Sequence, residues 1–145
     1  MQNMVKIGNE VIKVILRSAL HSLFSQNTLL IAVTGPKTGH EYSLPVNYVQ
    51  DGDTLYIISK RCRTWWRNLR GGKPVRIWLR GKELEGIGMA EEAYGTVSES
   101  LKRFFQLSPG HAKYFNVRLD AKGKTDEWDI SKAARERLIV KVTLR

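Results

Sequence analysis

Between two apolar runs lies Thr34-Gly35-Pro36-Lys37-Thr38-Gly39. Leu29 to Val33 before it and Leu44 to Val49 after it each read as a buried strand. A turn between strands that carries two glycines, a hydroxyl and a lysine can present backbone N–H groups and a cation to an anion. The same residues also make an ordinary hairpin turn with a solvated lysine, and composition alone leaves both readings open.

A second group able to do chemistry is Lys60 to Arg70, which reads Lys-Arg-Cys-Arg-Thr-Trp-Trp-Arg-Asn-Leu-Arg. Arg61, Arg63, Arg67, Arg70, Arg76 and Arg80, interleaved with Trp65, Trp66 and Trp78, are residue types that stack bases and neutralise phosphates. Trp78 between Arg76 and Arg80 also fits a cross-strand aromatic that stabilises a sheet. Cys62 sits among cations that could activate its thiol, although a buried inert thiol is the expectation. His21, His40 and His111 have no metal-ligand spacing, and one cysteine gives neither an internal disulfide nor a cysteine-based zinc site. Asp126, Glu127 and Asp129 flank Trp128 in a polar stretch and read as helix-capping carboxylates. No convincing acid–base constellation emerges, and no side chain is assigned a catalytic role.

The elements that must position these groups follow from periodicity. Val11, Ile12, Ile15, Leu16, Ala19, Leu20, Leu23 and Phe24 define one face of a helix over residues 8–25. That helix packs on its own sheet or, in a rival reading, lies on a membrane surface. A strand over Leu44–Gln50 leads into Asp51-Gly52, a type I′ hairpin signal, and Asp53–Ser59 returns, with Leu55 and Ile57 opposite Tyr56 and Ile58. Thr64 can cap a short helix over Trp65–Arg70 that Gly71-Gly72 ends. Val75–Arg80 alternates, Gly81-Lys82 turns, and Glu83–Ala90 is a strand whose Gly86 and Gly88 mark a bulge or a close backbone approach. Thr96-x-x-Glu99 is a capping box for a helix that runs to about Leu107 and stops before Pro109. Residues 110–137 carry little pattern beyond helical character at Ser131–Glu136. Leu138, Val140, Val142 and Leu144 alternate along a final strand.

The order predicts an α+β fold: a small antiparallel split β-barrel with flanking helices, one domain over 1–145, with barrel strands in 28–90 and helix, loop and closing strand in 96–145. The 145 residues can bury a core unaided, and 42% apolar composition is globular. The net charge of +10 and pI near 9.9 predict attraction to nucleic acid, acidic lipid or phosphorylated small molecules without choosing among them. No secretory signal and no run of roughly 18 apolar residues is visible, so a cytoplasmic setting is expected, with membrane contact through the 8–25 helix as the variant.

With these elements laid out, the sequence resembles the deazaflavin-dependent nitroreductase family, split-barrel relatives of the flavin-binding pyridoxamine-phosphate-oxidase-like group. The resemblance rests on Leu29 to Gly39, Ser43 to Tyr48, Asp51-Gly52-Asp53, Ile57 to Lys60 and Trp65 to Leu69, and spans about residues 28–90. It implies that Lys37, Thr38 and Gly39, with Ser43, Leu44 and Pro45 at the turn exit, hold the cofactor phosphate. It places Ser59 and Lys60 along the ring and tail, Trp66 and Asn68 in the element after them, and Tyr114, with Phe115 beside it, against the substrate. Where the family usually carries arginines around the turn, this chain has Pro36 and Tyr42, for which Arg61, Arg63 or Arg67 are the available replacements. The implied cofactor is the deazaflavin coenzyme F420, with FMN as the alternative, and the implied activity is hydride transfer to a small redox acceptor such as a quinone or nitroaromatic. The resemblance also implies a homodimer. The alternatives are a non-catalytic split barrel that binds flavin, heme or lipid, and, less favoured, a basic nucleic-acid-binding barrel.

Overall fold

The computed structural model describes residues 28–35 and 39–145. The helix expected over 8–25, and with it Lys37 and Thr38, lies outside the described residues.

Seven strands form one antiparallel sheet: β1 (Thr28–Thr34), β2 (Glu41–Asn47), β3 (Val49–Asp51), β4 (Thr54–Lys60), β5 (Lys73–Leu79), β6 (Lys82–Glu91) and β7 (Arg137–Leu144). Their spatial order is β2-β1-β5-β6-β7-β4-β3. β2 and β3 therefore occupy opposite edges, yet Tyr48 alone joins them. Two peptide steps span at most about 7 Å, so the sheet must curl until its edges nearly meet. This is the split barrel that the element order predicts. The single strand expected over Leu44–Gln50 is thus two strands broken at Tyr48, which is 3% exposed at the seam. Pro45 sits on the β2 edge, where a missing N–H removes no ladder bond on the open side.

Inside the curl, Leu29, Ile31 and Val33 of β1 meet Val75, Ile77 and Leu79 of β5, and Leu55 and Ile57 of β4 meet Val140 and Val142 of β7. Each strand contributes alternate residues, as a period of two demands. Gly86 and Gly88 face inward on β6, and their register is continuous, so they mark a close approach and not a bulge. The last strand in the chain, β7, lies centrally between β6 and β4.

Among the described residues, two α-helices and two 3-10 helices flank the sheet. α1 runs Tyr94–Leu107 and α2 runs Glu127–Glu136. α1 ends at Leu107 as predicted but starts ahead of the capping box: Ala93 is the N-cap, and no side chain caps it. The first turn is held by packing instead, with Val97 fully buried and Tyr94 Oη donating to Ser131 Oγ of α2 at 2.7 Å. α2 begins where its carboxylates predict, because Asp126 accepts from the Asp129 N–H at 3.0 Å. The start of the stretch that carries little sequence pattern, 110–137, falls in a 3-10 helix, Pro109–Phe115, whose Phe115 packs edge-on against Phe104.

Two turns fall one residue from their expected places. The β3–β4 loop is Gly52-Asp53 with positive φ at Gly52 alone, which is a II′-type arrangement. The β5–β6 loop is Arg80-Gly81, both at positive φ, and this is where the I′ geometry occurs.

Arg118 binds Asp129 through its backbone N–H at 2.9 Å and its Nε at 2.8 Å, and this guanidinium holds the Asp129 carboxyl below the usual carboxylate range. A carboxylate depressed in the folded state contributes stability above its unfolded value and loses it as pH falls through the folded value. Acid is therefore expected to loosen the start of α2. In thermal melts taken from neutral pH down to the acid side of the carboxylate range, Asp129→Asn should show a shallower acid loss than wild type. Parallel pH curves would remove Asp129 as a cause.

Candidate functional site

Strand register brings the two chemically suggestive segments together. β1 ends at Thr34, which pairs with Glu41, and Ala32 pairs with Arg76 near the start of β5. Lys73 pairs with Gly88, Glu91 with Ile139, and Lys60 with Arg137. The glycine turn, the 60–72 segment and the end of β6 thus share one end of the barrel, although they lie far apart in sequence.

The 60–72 segment contains the 3-10 helix Trp65–Leu69, whose last residues give way to Gly71 and Gly72 at positive φ. Thr64 makes no side-chain cap; its carbonyl accepts the Arg67 N–H instead. Trp65, Trp66 and Leu69 are buried. Leu69 lies close against Gly88 of β6, so this helix packs into the barrel interior. Trp65 Nε1 donates to Ser59 Oγ at 3.0 Å, and Ser59 in turn donates to the Lys60 carbonyl at 3.2 Å. The Ser59 hydroxyl is 5% exposed and satisfied within the protein.

Trp66 differs. Its indole Nε1–H is buried and has no hydrogen-bond partner among the described residues. The guanidinium groups of Arg70 and Arg67 lie 5.0 and 5.7 Å from the ring centroid. A buried donor without an acceptor is costly unless something completes it.

The cations divide into committed and free. Arg70 forms a bidentate pair with Glu92, both contacts 2.9 Å, which holds the Glu92 carboxyl below its usual range. Arg61 donates to the Ala134 and Glu92 carbonyls, its closest contacts being 2.9 Å, and so tethers the last turn of α2 to the β6–α1 corner. Arg61 is therefore not an available replacement for the charges missing around the turn. Lys60, Arg63, Arg67 and Lys73 are exposed and join no ion pair among the described residues. Cys62 is exposed, contrary to the expected buried thiol, because it sits in the turn that leaves β4. Trp78 is buried, with Arg76 stacked 5.3 Å from its centroid, in keeping with a structural aromatic.

Replacing Arg61 with methionine is expected to cost about 2 kcal/mol, because two buried-side carbonyls lose a charged donor. Ligand affinity at this barrel end should stay within about twofold of wild type, since Arg61 donates to the Ala134 and Glu92 carbonyls and not toward the turn. Paired melting and titration experiments check both halves.

Of the remaining predicted residues, Gly39 has φ +69° with open space where a Cβ would stand. Ser43, Leu44 and Pro45 lie along β2, Ser43 nearly buried. Asn68 lies next to the start of β2, its Nδ2 donating to Tyr42 Oη at 2.7 Å. Tyr114 is 71% exposed on the Pro109–Phe115 helix, with Lys113 over its ring. Arg137, the register partner of Lys60, stacks on Phe115 at 4.7 Å. The sequence marked Arg76 only as one of a basic and aromatic set and did not single out Glu41 or Glu92, whose partners are distant in the chain.

Fold and charge together define a split β-barrel with one basic, indole-lined end. Residues 16–123 match the family F420H(2)-dependent quinone reductase, which is most of the chain, and the protein belongs to that family. It is accordingly a deazaflavin-dependent oxidoreductase whose cofactor is coenzyme F420. Among curated proteins none matches the sequence significantly. Solved structures share the fold at low identity. F420-H2 dependent reductase FDR-A is 18% identical, with 81% of this chain and 94% of that one covered at TM-score 0.54. A Listeria innocua protein provisionally described as a pyridoxamine 5′-phosphate oxidase is 17% identical, with coverage of 94% and 93% and TM-score 0.52. The FAD and heme binding protein from Mycobacterium smegmatis is 14% identical, with coverage of 89% and 67% and TM-score 0.52. No helix among the described residues is long and apolar enough to cross a membrane.

Proposed function

We propose that the protein reduces a quinone-type acceptor and holds F420 at the basic end of the barrel. The observation that carries the reading is the placement there of the glycine turn beside unpaired Lys60, Arg63 and Arg67 and the orphaned Trp66 indole N–H. These residues fit the group: a phosphorylated coenzyme with carboxylates and ring carbonyls needs cations and N–H donors, and this end supplies both.

The reduced coenzyme, when bound, supplies the hydride. The chain supplies binding and orientation. Lys37, Thr38 and Gly39 receive the phosphate, with Ser43, Leu44 and Pro45 forming the exit of the cradle. Lys60, Arg63 and Arg67 oppose the remaining negative charge. The Trp66 indole donates to a ring or phosphate oxygen and excludes water from that side. Ser59 contributes through Trp65, whose indole it anchors. Tyr114, with Phe115 beside it, is the group assigned to frame the acceptor, and nitroaromatics are a second acceptor class. The protein acts as a homodimer, an assembly in keeping with a fold neighbour solved as a domain-swapped dimer.

Titration of purified protein with F420, FMN, hemin and a single-stranded oligonucleotide tests the reading. The expected result is a saturable F420 signal at micromolar or lower concentration and quinone reduction by the reduced coenzyme. Tight, strongly salt-dependent oligonucleotide binding without an F420 signal would favour the nucleic-acid reading instead. F420 binding without quinone turnover would leave a carrier.

A further inference from the structure

Two adjacent residues at the exit of the glycine turn are pinned on opposite faces of β2. Glu41 takes two contacts from Arg76 on the outer face, its Oε2 accepting from Nε at 3.0 Å. Tyr42 faces the other way and accepts from Asn68 Nδ2 at 2.7 Å, across 26 positions of chain. Asn68 lies two residues after Trp66, the buried indole without a partner. Its amide N–H is thus already directed at Tyr42. Burial raises the Tyr42 phenol above its ordinary value, so the hydroxyl stays protonated and neutral at this contact.

We infer that Asn68 is a positioning residue, which acts on the coenzyme through Tyr42 and not by touching it. The Tyr42–Asn68 bridge ties the start of β2, at the exit of the glycine turn, to the 3-10 helix that bears the Trp66 indole. The β1–β2 ladder and the Gly35 N–H to His40 carbonyl bond keep β2 in register without the bridge, but the helix then loses this side-chain tie to β2, and the two halves of the binding surface lose their common geometry. The inference rests on the coenzyme reading above and narrows it, since Asn68 is removed from the residues that contact F420.

A double-mutant cycle on F420 affinity tests it, read by fluorescence titration with melting temperature as the control. Tyr42→Phe and Asn68→Ala are each expected to weaken F420 binding about three- to tenfold, the range of one hydrogen bond. The double variant should be no weaker than the poorer single variant within about twofold. Melting temperatures should stay near wild type, because both side chains lie at the surface end of the barrel; Asn68→Ser replaces Asn68→Ala if the latter folds poorly. An Asn68→Ala loss far exceeding that of Tyr42→Phe, or additive losses in the double variant, would mean direct coenzyme contact and would overturn the inference. Unchanged affinity in both single variants would overturn it as well, as would affinity losses that track falls in melting temperature. A wild-type protein without F420 affinity defeats the coenzyme reading itself, an outcome visible before any variant is made.

Discussion

Lys37→Ala is expected to weaken F420 binding by about 10- to 100-fold, the loss of one charge-assisted contact to a phosphate. Register brings the end of β1, where the turn that carries Lys37 begins, to the same barrel end as Lys60, with Arg63 and Arg67 on the segment that leaves β4, and none of the three joins an ion pair among the described residues. These cations raise the local potential but are held on other elements, so they cannot take over a contact made from within the turn. Lys37→Arg should retain most of the affinity. The remaining affinity in Lys37→Ala should also be less sensitive to salt, because one exposed ionic contact is gone. An F420 titration at two ionic strengths measures both effects. A Lys37→Ala protein that binds as wild type does would place the phosphate elsewhere, and the turn would be only a loop between strands.

The second large effect concerns the barrel wall. A Cβ on Gly86 would stand 2.7 Å from the Thr143 carbonyl oxygen and 3.0 Å from Val142 Cγ1. The carbonyl belongs to β7, an interior strand paired with both β6 and β4, so it cannot move without disturbing two ladders. Gly86→Ala is expected to destabilise by about 3 kcal/mol, which for a chain of this size lowers the melting temperature by roughly 10 °C. Gly88→Ala should cost clearly less: its Cβ meets side-chain methyls and no backbone, Val75 Cγ1 at 3.2 Å, Leu69 Cδ1 at 3.3 Å and Leu69 Cδ2 at 3.5 Å. The order Gly86→Ala, then Gly88→Ala, in thermal melts is the critical result. Equal losses would show that β6 and β7 can separate cheaply, and the argument from backbone crowding would fail.

Both predictions draw on residues that the sequence marks out, a lysine between glycines and a glycine inside a strand. Local signals of this kind are legible because they depend on near neighbours. Alternation marked the inward faces of β4, β5 and β7, whereas β1, apolar on both faces, was legible only as a buried strand, and the helix stop at Leu107 followed from Pro109. Turn chemistry was legible to within one residue. Gly52-Asp53 and Arg80-Gly81 shifted because the ladders on either side set the register, and the turn type follows from the ladder. The first turn of α1 was placed late because tertiary contacts of Tyr94 and Val97 replace a side-chain cap.

The site was legible as residue types and not as an arrangement. The sequence by itself determined a basic split barrel with a glycine turn suited to an anion, and it marked the tryptophan-rich segment as important. Only the tertiary structure decided that these two stretches share one barrel end, that Arg61 serves α2 and not a ligand, that Ser59 answers Trp65, and that Asn68 reaches Tyr42. The physical reason is one of range. Periodicity and turn propensity act over a few residues, whereas each of those pairings depends on a strand order, β2-β1-β5-β6-β7-β4-β3, in which the last strand of the chain closes the middle of the sheet.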